Sequence, residues 1–471
     1  MKYLSTRGEA NDLDFAEVLL RGLAGDGGLY LPETWPTLSQ SAIADLAGLP
    51  YTRVAERVIA PFVGDAIAAD ALRDMIESAY SGFRHDAVVP LVQSGPNEWL
   101  LELFHGRTLA FKDVAMQLLA RMMDHVLAAR GRRATIIGAT SGDTGGAAIE
   151  AFRDCARVDV FILFPRGRVS DVQRRQMTTV GGPNVHAIAV DGNFDDCQRL
   201  VKALFADEEL RQSTRLSGVN SINWGRIVAQ IVYYFTAAAA LGAPTRDVRF
   251  TVPTGNFGDI FAGYAAARMG LPVDRLVVAT NVNDILVRAL ETGRYQVRDV
   301  AATTSPSMDI QVSSNFERLL FEAGGRDPER VGFCMRQLAE QGAFDIDPGT
   351  LKAISERFAA CRIDEETCRE TMNALYSANG YLADPHTAIG VAAARRVSGA
   401  PEVPSVCLAT AHPAKFPDAV TGATGAAPAL PEWLADLHDR EERFSVMPAD
   451  KTAIADFIRA NAGIEAAGAG A

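Results

Sequence analysis

The sequence predicts an α/β protein: two parallel-sheet α/β domains with an extra, mainly helical domain at the N-terminus. Three observations carry that expectation. From Ala134 onward, short apolar runs alternate with stretches of helical period, the pattern of repeated βαβ units. Two of those runs, Ala134–Gly138 and Val248–Pro253, lead straight into glycine-rich turns that open helices. Before residue 97 the pattern is helical instead. The chain has 471 residues, more than one domain usually holds, and 48% of them are apolar, enough for sizeable cores. The expected divisions are residues 1–97 as the N-terminal domain, 98–240 as a first α/β part and 241–430 as a second. The second part carries a helical insertion at about 300–375, and 431–471 forms a C-terminal helical tail.

Leu13–Leu23 reads as a short helix, followed by the turn Gly25-Asp26-Gly27-Gly28 and the apolar Leu29-Tyr30-Leu31-Pro32. Helical patterns continue around Ala42–Ala47, Tyr51–Ile59 and Ile67–Tyr80. The turn residues Ser94-Gly95-Pro96-Asn97 mark the expected boundary. Leu103–Asp113 is then an irregular loop that runs into a helix, where Val114, Leu118, Met122 and Val126 recur at helical spacing and Gly131 is a stop. Lys112 stands where loop becomes helix, beside Ala110 and Phe111. A lysine held against apolar neighbours loses hydration, which disfavours its ammonium form and suits Schiff-base chemistry. The plain alternative is a solvated lysine at a helix start.

The run Ala134–Gly138 feeds Ala139-Thr140-Ser141-Gly142-Asp143-Thr144-Gly145-Gly146 and a helix to Phe152. Glycines admit a ligand close to the backbone, and a helix N-terminus offers unbonded N–H groups. Two ligands compete for this turn: a nucleotide, or a carboxylate with a cofactor ring. The spacing does not match a dinucleotide fingerprint. Val158–Pro165 and Val185–Val190 are further strands, each followed by a helix. Asn220-Ser221-Ile222-Asn223-Trp224-Gly225-Arg226 precedes a long apolar helix from Ile227 to Leu241. Its amide, hydroxyl and guanidinium donors suit a phosphate, or Ser221 or Asn223 caps the helix. Val248–Pro253 ends in Thr254-Gly255-Asn256-Phe257-Gly258-Asp259 before a helix to Met269. Gly255 and Gly258 bracket a run of amides suited to a phosphate dianion, and no Gly-Lys-Ser/Thr follows to make it a nucleotide triphosphate loop. The alternative is an ordinary glycine turn. Arg275–Asn281 is another strand with helix Asp284–Thr292 after it. Asp384 opens a helix, and strand Ser405–Ala409 delivers Thr410. The tail carries one expected helix, and 464–471 read as frayed.

A net charge of −12 argues against a nucleic-acid partner, which calls for basic stripes. No apolar run is long enough to span a bilayer, and Met1–Arg7 lacks the apolar core of a signal peptide. The six cysteines are scattered and form no Cys-x-x-Cys pair, as expected of reduced residues in a cytoplasmic protein. The seven histidines show no metal spacing, so no metal is expected.

Taken in order, these stretches resemble threonine synthase of the long bacterial and fungal form, a family of pyridoxal-phosphate enzymes of fold type II, the tryptophan-synthase-β type. Thr6-Arg7-Gly8 with Gly25–Tyr30 is similar to that family's extra first domain. The resemblance makes Lys112, in Phe111-Lys112-Asp113, the Schiff-base lysine. It implies substrate contacts for Ser141, Gly142 and Thr144, and a cofactor contact for Asp143. It assigns Gly255, Asn256, Phe257, Gly258 and Asp259 to the pyridoxal 5′-phosphate phosphate group, and Thr410 to the pyridine nitrogen. Asn220, Ser221 and Arg226 fall where related enzymes hold the substrate phosphate. Asp143 departs from the asparagine that many relatives of this fold direct at the ring hydroxyl oxygen. A carboxylate there repels a phenolate unless one of them holds a proton or Asp143 points elsewhere.

The implied reaction converts O-phospho-L-homoserine and water to L-threonine and phosphate. A phospho-lyase of the same fold, giving a 2-oxo acid and phosphate, is the alternative. The resemblance further makes Lys112 the base for the α proton, and the expected protein is a cytoplasmic monomer or homodimer.

Overall fold

The computed structural model describes residues 1–9, 12–218, 221–397 and 399–463. The chain forms two compact units, each from two separate stretches: Met1–Phe111 with Ser221–Pro428, and Lys112–Asn220 with Ala429–Ala471. The division expected at 430 lies within two residues of a boundary between the units, whereas those expected at 97 and 240 do not follow them. The reason is strand pairing between residues far apart in the chain, which no local pattern reports.

In the unit that contains Lys112, five strands form one parallel sheet. Its order is Ser445–Pro448, Val185–Asp191, Val158–Pro165, Ala134–Ala139 and Leu216–Gly218. Every residue of Val158–Pro165 is buried, as an apolar run covered on both faces should be. Helix Phe194–Phe205 starts at a capping box in which Asn193 and Asp196 satisfy each other's backbone amides. Its Leu200 and Leu204 pack with Ile137, Phe161, Leu163 and Ile188. Ile454 and Ile458, from helix Lys451–Asn461, join the same core. Residues 431–471 are thus more than a helical tail: they supply an edge strand and part of this core.

The other unit holds a six-stranded sheet in the order Phe358–Arg362, Val273–Thr280, Val248–Pro253, Ser405–Ala409, Glu98–Glu102 and Leu91–Gly95. All neighbours are parallel except the last pair, a hairpin turned by Pro96 and Asn97. The turn residues at 94–97 therefore close a hairpin and do not separate domains. Phe358–Arg362 gives the expected insertion at 300–375 a strand of its own at the sheet edge.

The N-terminal segment has the expected helices Phe15–Arg21, Tyr51–Val63 and Ala69–Tyr80, and a small antiparallel pair, Tyr3–Ser5 with Tyr30–Pro32. It is tied into the same unit by rings: Trp224 lies 5.9 Å from Phe62, 6.1 Å from Trp35 and 6.3 Å from Tyr3. The Tyr3 hydroxyl donates to Phe62 O at 2.7 Å.

Candidate active site

Lys112 is the first residue of helix Lys112–Ala129 and is only 8% exposed. Its Nζ stands 3.5 Å from Oδ2 of Asp143. Asp143 opens helix Asp143–Phe152, where the N-terminal end of the dipole favours a carboxylate. The turn before it is built around Thr140, whose Oγ1 accepts from the amides of Gly142 and Gly145, both at 3.0 Å. Gly142 has φ +151°, and a Cβ there would lie 2.5 Å from Cδ of Gln173. Gln173 fills that space and donates from Nε2 to Asp143 Oδ1 at 2.8 Å. Ser170 fixes the amide's orientation by donating to Gln173 Oε1 at 3.0 Å. Asp143 is therefore buried and turned toward Lys112 and Gln173. Ser141 is exposed and Thr144 half-buried on the same turn.

In the other unit, Gly255 and Thr410 follow the carboxyl ends of two adjacent parallel strands, Val248–Pro253 and Ser405–Ala409, the edge where α/β sheets place their ligands. Thr410 is buried, and its carbonyl accepts from Phe111 N at 2.8 Å. At Gly255 an added Cβ would lie 2.6 Å from Ser307 O, so the close approach of that segment requires glycine. Ser307 is itself backed by His386, whose Nε2 accepts the Ser307 amide at 3.3 Å while Nδ1 faces Asp384 at 2.7 Å.

The Gly255 carbonyl accepts from Ser313 Oγ at 2.7 Å, and the Asn256 carbonyl from Asn315 Nδ2 at 2.9 Å. Because N–H and C=O point opposite ways across a trans peptide, tying down these carbonyls aims the amides of Asn256 and Phe257 the other way. Among the described residues, the amides of Asn256, Phe257 and Gly258 donate to nothing. Phe257 adopts φ +63° at the start of helix Gly258–Arg268, and its ring packs 5.3 Å from Phe316. The Asp259 carboxylate is occupied by Tyr233 and Tyr234, so this residue's contribution to an anion site is its backbone position.

Both readings of the 220–226 stretch find support. Asn223 caps helix Trp224–Ala240, accepting from Gly225 N at 2.9 Å, and also donates to Leu19 O at 2.9 Å. Arg226 is not a cap. It is 3% exposed, its Nε has no hydrogen-bond partner among the described residues, and burial pulls its guanidinium down to about 10. A charged group so placed calls for an anion. Ser221 is half-buried, and Asn220 lies outside the described residues.

The family model "Pyridoxal-phosphate dependent enzyme" matches residues 89–410. "Threonine synthase N terminus" matches 2–80, and "Threonine synthase, C-terminal" matches 387–458. A threonine synthase from Pseudomonas aeruginosa is 55% identical over 460 residues, covering 97% of this chain and 98% of that one. The chain belongs to the threonine synthase family. Solved structures agree. The pyridoxal-phosphate-bound threonine synthase from Brucella melitensis superposes with a TM-score of 0.97 at 59% identity, covering 98% of this chain and 100% of that one. The yeast threonine synthase gives 0.93 at 39%, with 98% of each chain covered.

The residues fit the cofactor of the threonine synthase family. Lys112 is a buried primary amine, and the Gly255–Gly258 turn presents amides with no acceptor among the described residues. The structure brings Lys112, Ser141, Gly142, Asp143 and Thr144 together in one unit, and Gly255–Asp259, Thr410, Ser221 and Arg226 together in the other. Sequence reasoning passes over Thr140, Gln173, Asn315 and Arg318. Gln173 sits in a helix of polar sequence, yet it is buried. Its one sequence signal is its place three residues after Ser170, the N-cap that binds it.

Proposed function

We infer that the chain converts O-phospho-L-homoserine and water to L-threonine and phosphate with pyridoxal phosphate. The observation that supports a phosphorylated substrate is Arg226: a buried guanidinium with no anionic partner among the described residues, at the N-terminal end of a helix. It is separate in sequence from the glycine turn that suits the cofactor phosphate. When bound, the cofactor supplies an electron sink conjugated to the substrate's α carbon.

The chain's own groups do the rest. Lys112 would hold the cofactor by its carbonyl and carry the α proton on Nζ; Asp143, held by Gln173, gives that Nζ an anionic partner. The amides of Asn256–Gly258 would hold the cofactor phosphate, and the Thr410 hydroxyl would offer the pyridine nitrogen a neutral partner. Ser141, Gly142 and Thr144 receive the substrate carboxylate. Asn220, Ser221 and Arg226 would hold the phosphate that leaves the γ carbon as a β proton is lost; the γ carbon then gains a proton, water gives its hydroxyl to the β carbon and its proton to the released phosphate, and the α carbon recovers the proton carried by Lys112. We assign the work to the cytoplasm, in keeping with six free cysteines. Among the described residues no helix is long and apolar enough to cross a membrane.

The test is product analysis of the loaded protein with O-phospho-L-homoserine. Threonine and phosphate should appear in equal amounts. Accumulation of 2-oxobutyrate in place of threonine would instead indicate the phospho-lyase. Lys112→Ala should fold, lack the near-visible absorbance that borohydride abolishes in the parent protein, and make neither product. Appreciable turnover by that variant would remove Lys112 from its central role.

A further inference from the structure

Asn315 and Arg318 lie in the 300–375 stretch, which carries no sequence motif, and neither exposes any surface. Asn315 immediately precedes helix Phe316–Ala323, and Arg318 is the third residue of that helix. Asn315 donates from Nδ2 to two backbone carbonyls, Asn256 O at 2.9 Å and Ser221 O at 3.2 Å, and from its amide to Asn256 O at 3.1 Å. Its Oδ1 accepts from Nη1 of Arg318. Arg318 also donates from Nη2 to Ile222 O at 2.6 Å and from Nε to Tyr30 O at 3.0 Å. Its guanidinium lies 5.6 Å from the centre of the Trp224 ring.

These bonds have a direction. A guanidinium only donates, so the side of Asn315 that meets Arg318 must be its oxygen, and the NH2 group is left for the two carbonyls. Those carbonyls belong to two different functional stretches. Asn256 is in the turn whose amides face away from Asn315, and Ser221 and Ile222 belong to the stretch that ends in Arg226. The fit is close: a Cβ on Gly258 would lie 3.3 Å from Asn315 Nδ2 and 3.5 Å from Ser221 O. Glycine at 258 thus makes room for Asn315 as well as for a ligand.

We propose that Asn315 and Arg318 are positioning residues that hold the cofactor-phosphate turn and the substrate-phosphate stretch in one register, so that losing either residue weakens both phosphate sites together. The proposal rests on the assignment of those two stretches made above.

The test uses the full-length chain freed of cofactor, titrated with pyridoxal phosphate and with pyridoxal, which lacks the phosphate. Asn315→Asp keeps the size and the acceptor for Arg318 but removes both Nδ2 donors; Asn315→Leu and Arg318→Met remove more. Each should lower the ratio of the two affinities by about tenfold or more, the worth of one charge-assisted hydrogen bond. Arg318→Lys should recover part of the ratio. In the loaded enzymes, KM for O-phospho-L-homoserine should rise with the loss of ratio. Equal loss of affinity for both ligands, or a ratio within about twofold of the parent in Asn315→Asp, would overturn the proposal and leave a packing role. Gly255→Val separates the two readings. If it lowers the ratio and the Asn315 and Arg318 variants do not, positioning fails alone. If Gly255→Val also leaves the ratio unchanged, the turn is not the phosphate site and both fail.

Discussion

Arg226 is a buried guanidinium whose Nε has no partner among the described residues, and the proposed substrate phosphate is the anion that would meet it. Burial of a guanidinium without an anion disfavours the folded chain, and a bound phosphate relieves it. Arg226→Met should therefore be more stable than the parent, on the order of 1 kcal/mol or more. Its kcat/KM for O-phospho-L-homoserine should fall about ten- to a hundredfold, since one decade is about 1.4 kcal/mol. Thermal unfolding of the cofactor-loaded protein checks both halves. Inorganic phosphate should raise the midpoint of the parent by mass action and leave Arg226→Met unmoved; a destabilised variant that still responds to phosphate would contradict the assignment. A second buried group bears on acid stability. Burial, with His105 and Lys415 adding to it against Glu102 and Asp384, pulls His412 down to about 4. Its Nδ1 accepts from Ala414 N at 3.2 Å, a bond that requires an unprotonated nitrogen. The unfolded chain binds this proton at a higher pH than the folded one. The contribution is thus fully present above about pH 6.5 and is lost as the pH falls toward 4, at most about 3 kcal/mol for a group so shifted. His412→Asn keeps the capping acceptor and removes the titration. Urea unfolding of this variant should vary less between pH 6.5 and 4 than that of the parent. The place of the lysine at a loop-to-helix junction and of the two glycine turns after strands was legible from residue type and neighbours, and the roles given to them came only with the resemblance. The isolation of Arg226 was not, because the absence of a partner is a property of the packed chain.

Strand, turn and helix units carry the two glycine turns, and their glycines differ in kind. In helix Asp143–Phe152 a Cβ on Gly145 would meet Thr140 Cγ2 at 2.4 Å and Met177 Sδ at 2.7 Å, whereas on Gly146 the nearest atom would be Gln176 Cβ at 3.7 Å. Gly145→Ala should overpack the turn and cost about 1–3 kcal/mol. Gly146→Ala should gain some of the roughly 1 kcal/mol by which alanine exceeds glycine in a helix. Denaturant midpoints of the two variants should move in opposite directions; a shared direction would mean that helix propensity alone governs both. The sequence distinguishes neither glycine from the other, since both lie in the same run. Strands Val158–Pro165, Val248–Pro253 and Ser405–Ala409 were legible to the residue because they are buried apolar runs bounded by turns. Leu216–Gly218 and Ser445–Pro448 were not: each is a short edge strand, partly exposed, with too few apolar residues to show a period. The hairpin Leu91–Gly95 and Glu98–Glu102 was hidden by its own turn residues, which read equally well as a linker.

Which strands pair is the information that local patterns lack, and it decides how the chain divides. The unit that carries Lys112 takes its last strand and last helix from the far end of the chain. Ile454, Ala455 and Ile458 are buried against Leu200, Leu204 and Leu210, and Ser445–Pro448 covers the free edge of Val185–Asp191. A chain ending at Pro428 would keep every residue assigned to cofactor and substrate. It would still expose a strand edge and the apolar faces of two helices. Burying an aliphatic side chain is worth about 1.5–3 kcal/mol, so losing Ile454 and Ile458 alone removes on the order of 3–6 kcal/mol, comparable to the net stability of a typical domain. The exposed edge would add a template for aggregation. The truncated protein should therefore be largely insoluble, or cleaved by protease within 112–220 while the sheet that contains Val248–Pro253 survives. Adding residues 429–471 as a separate peptide should restore protection of 112–220 and the ability of Lys112 to be trapped by borohydride with pyridoxal phosphate. A soluble chain ending at Pro428 with the parent's proteolysis pattern would show that the C-terminal strand and helix are an appendage. The expected division into consecutive domains would then describe the folding units better than the discontinuous one.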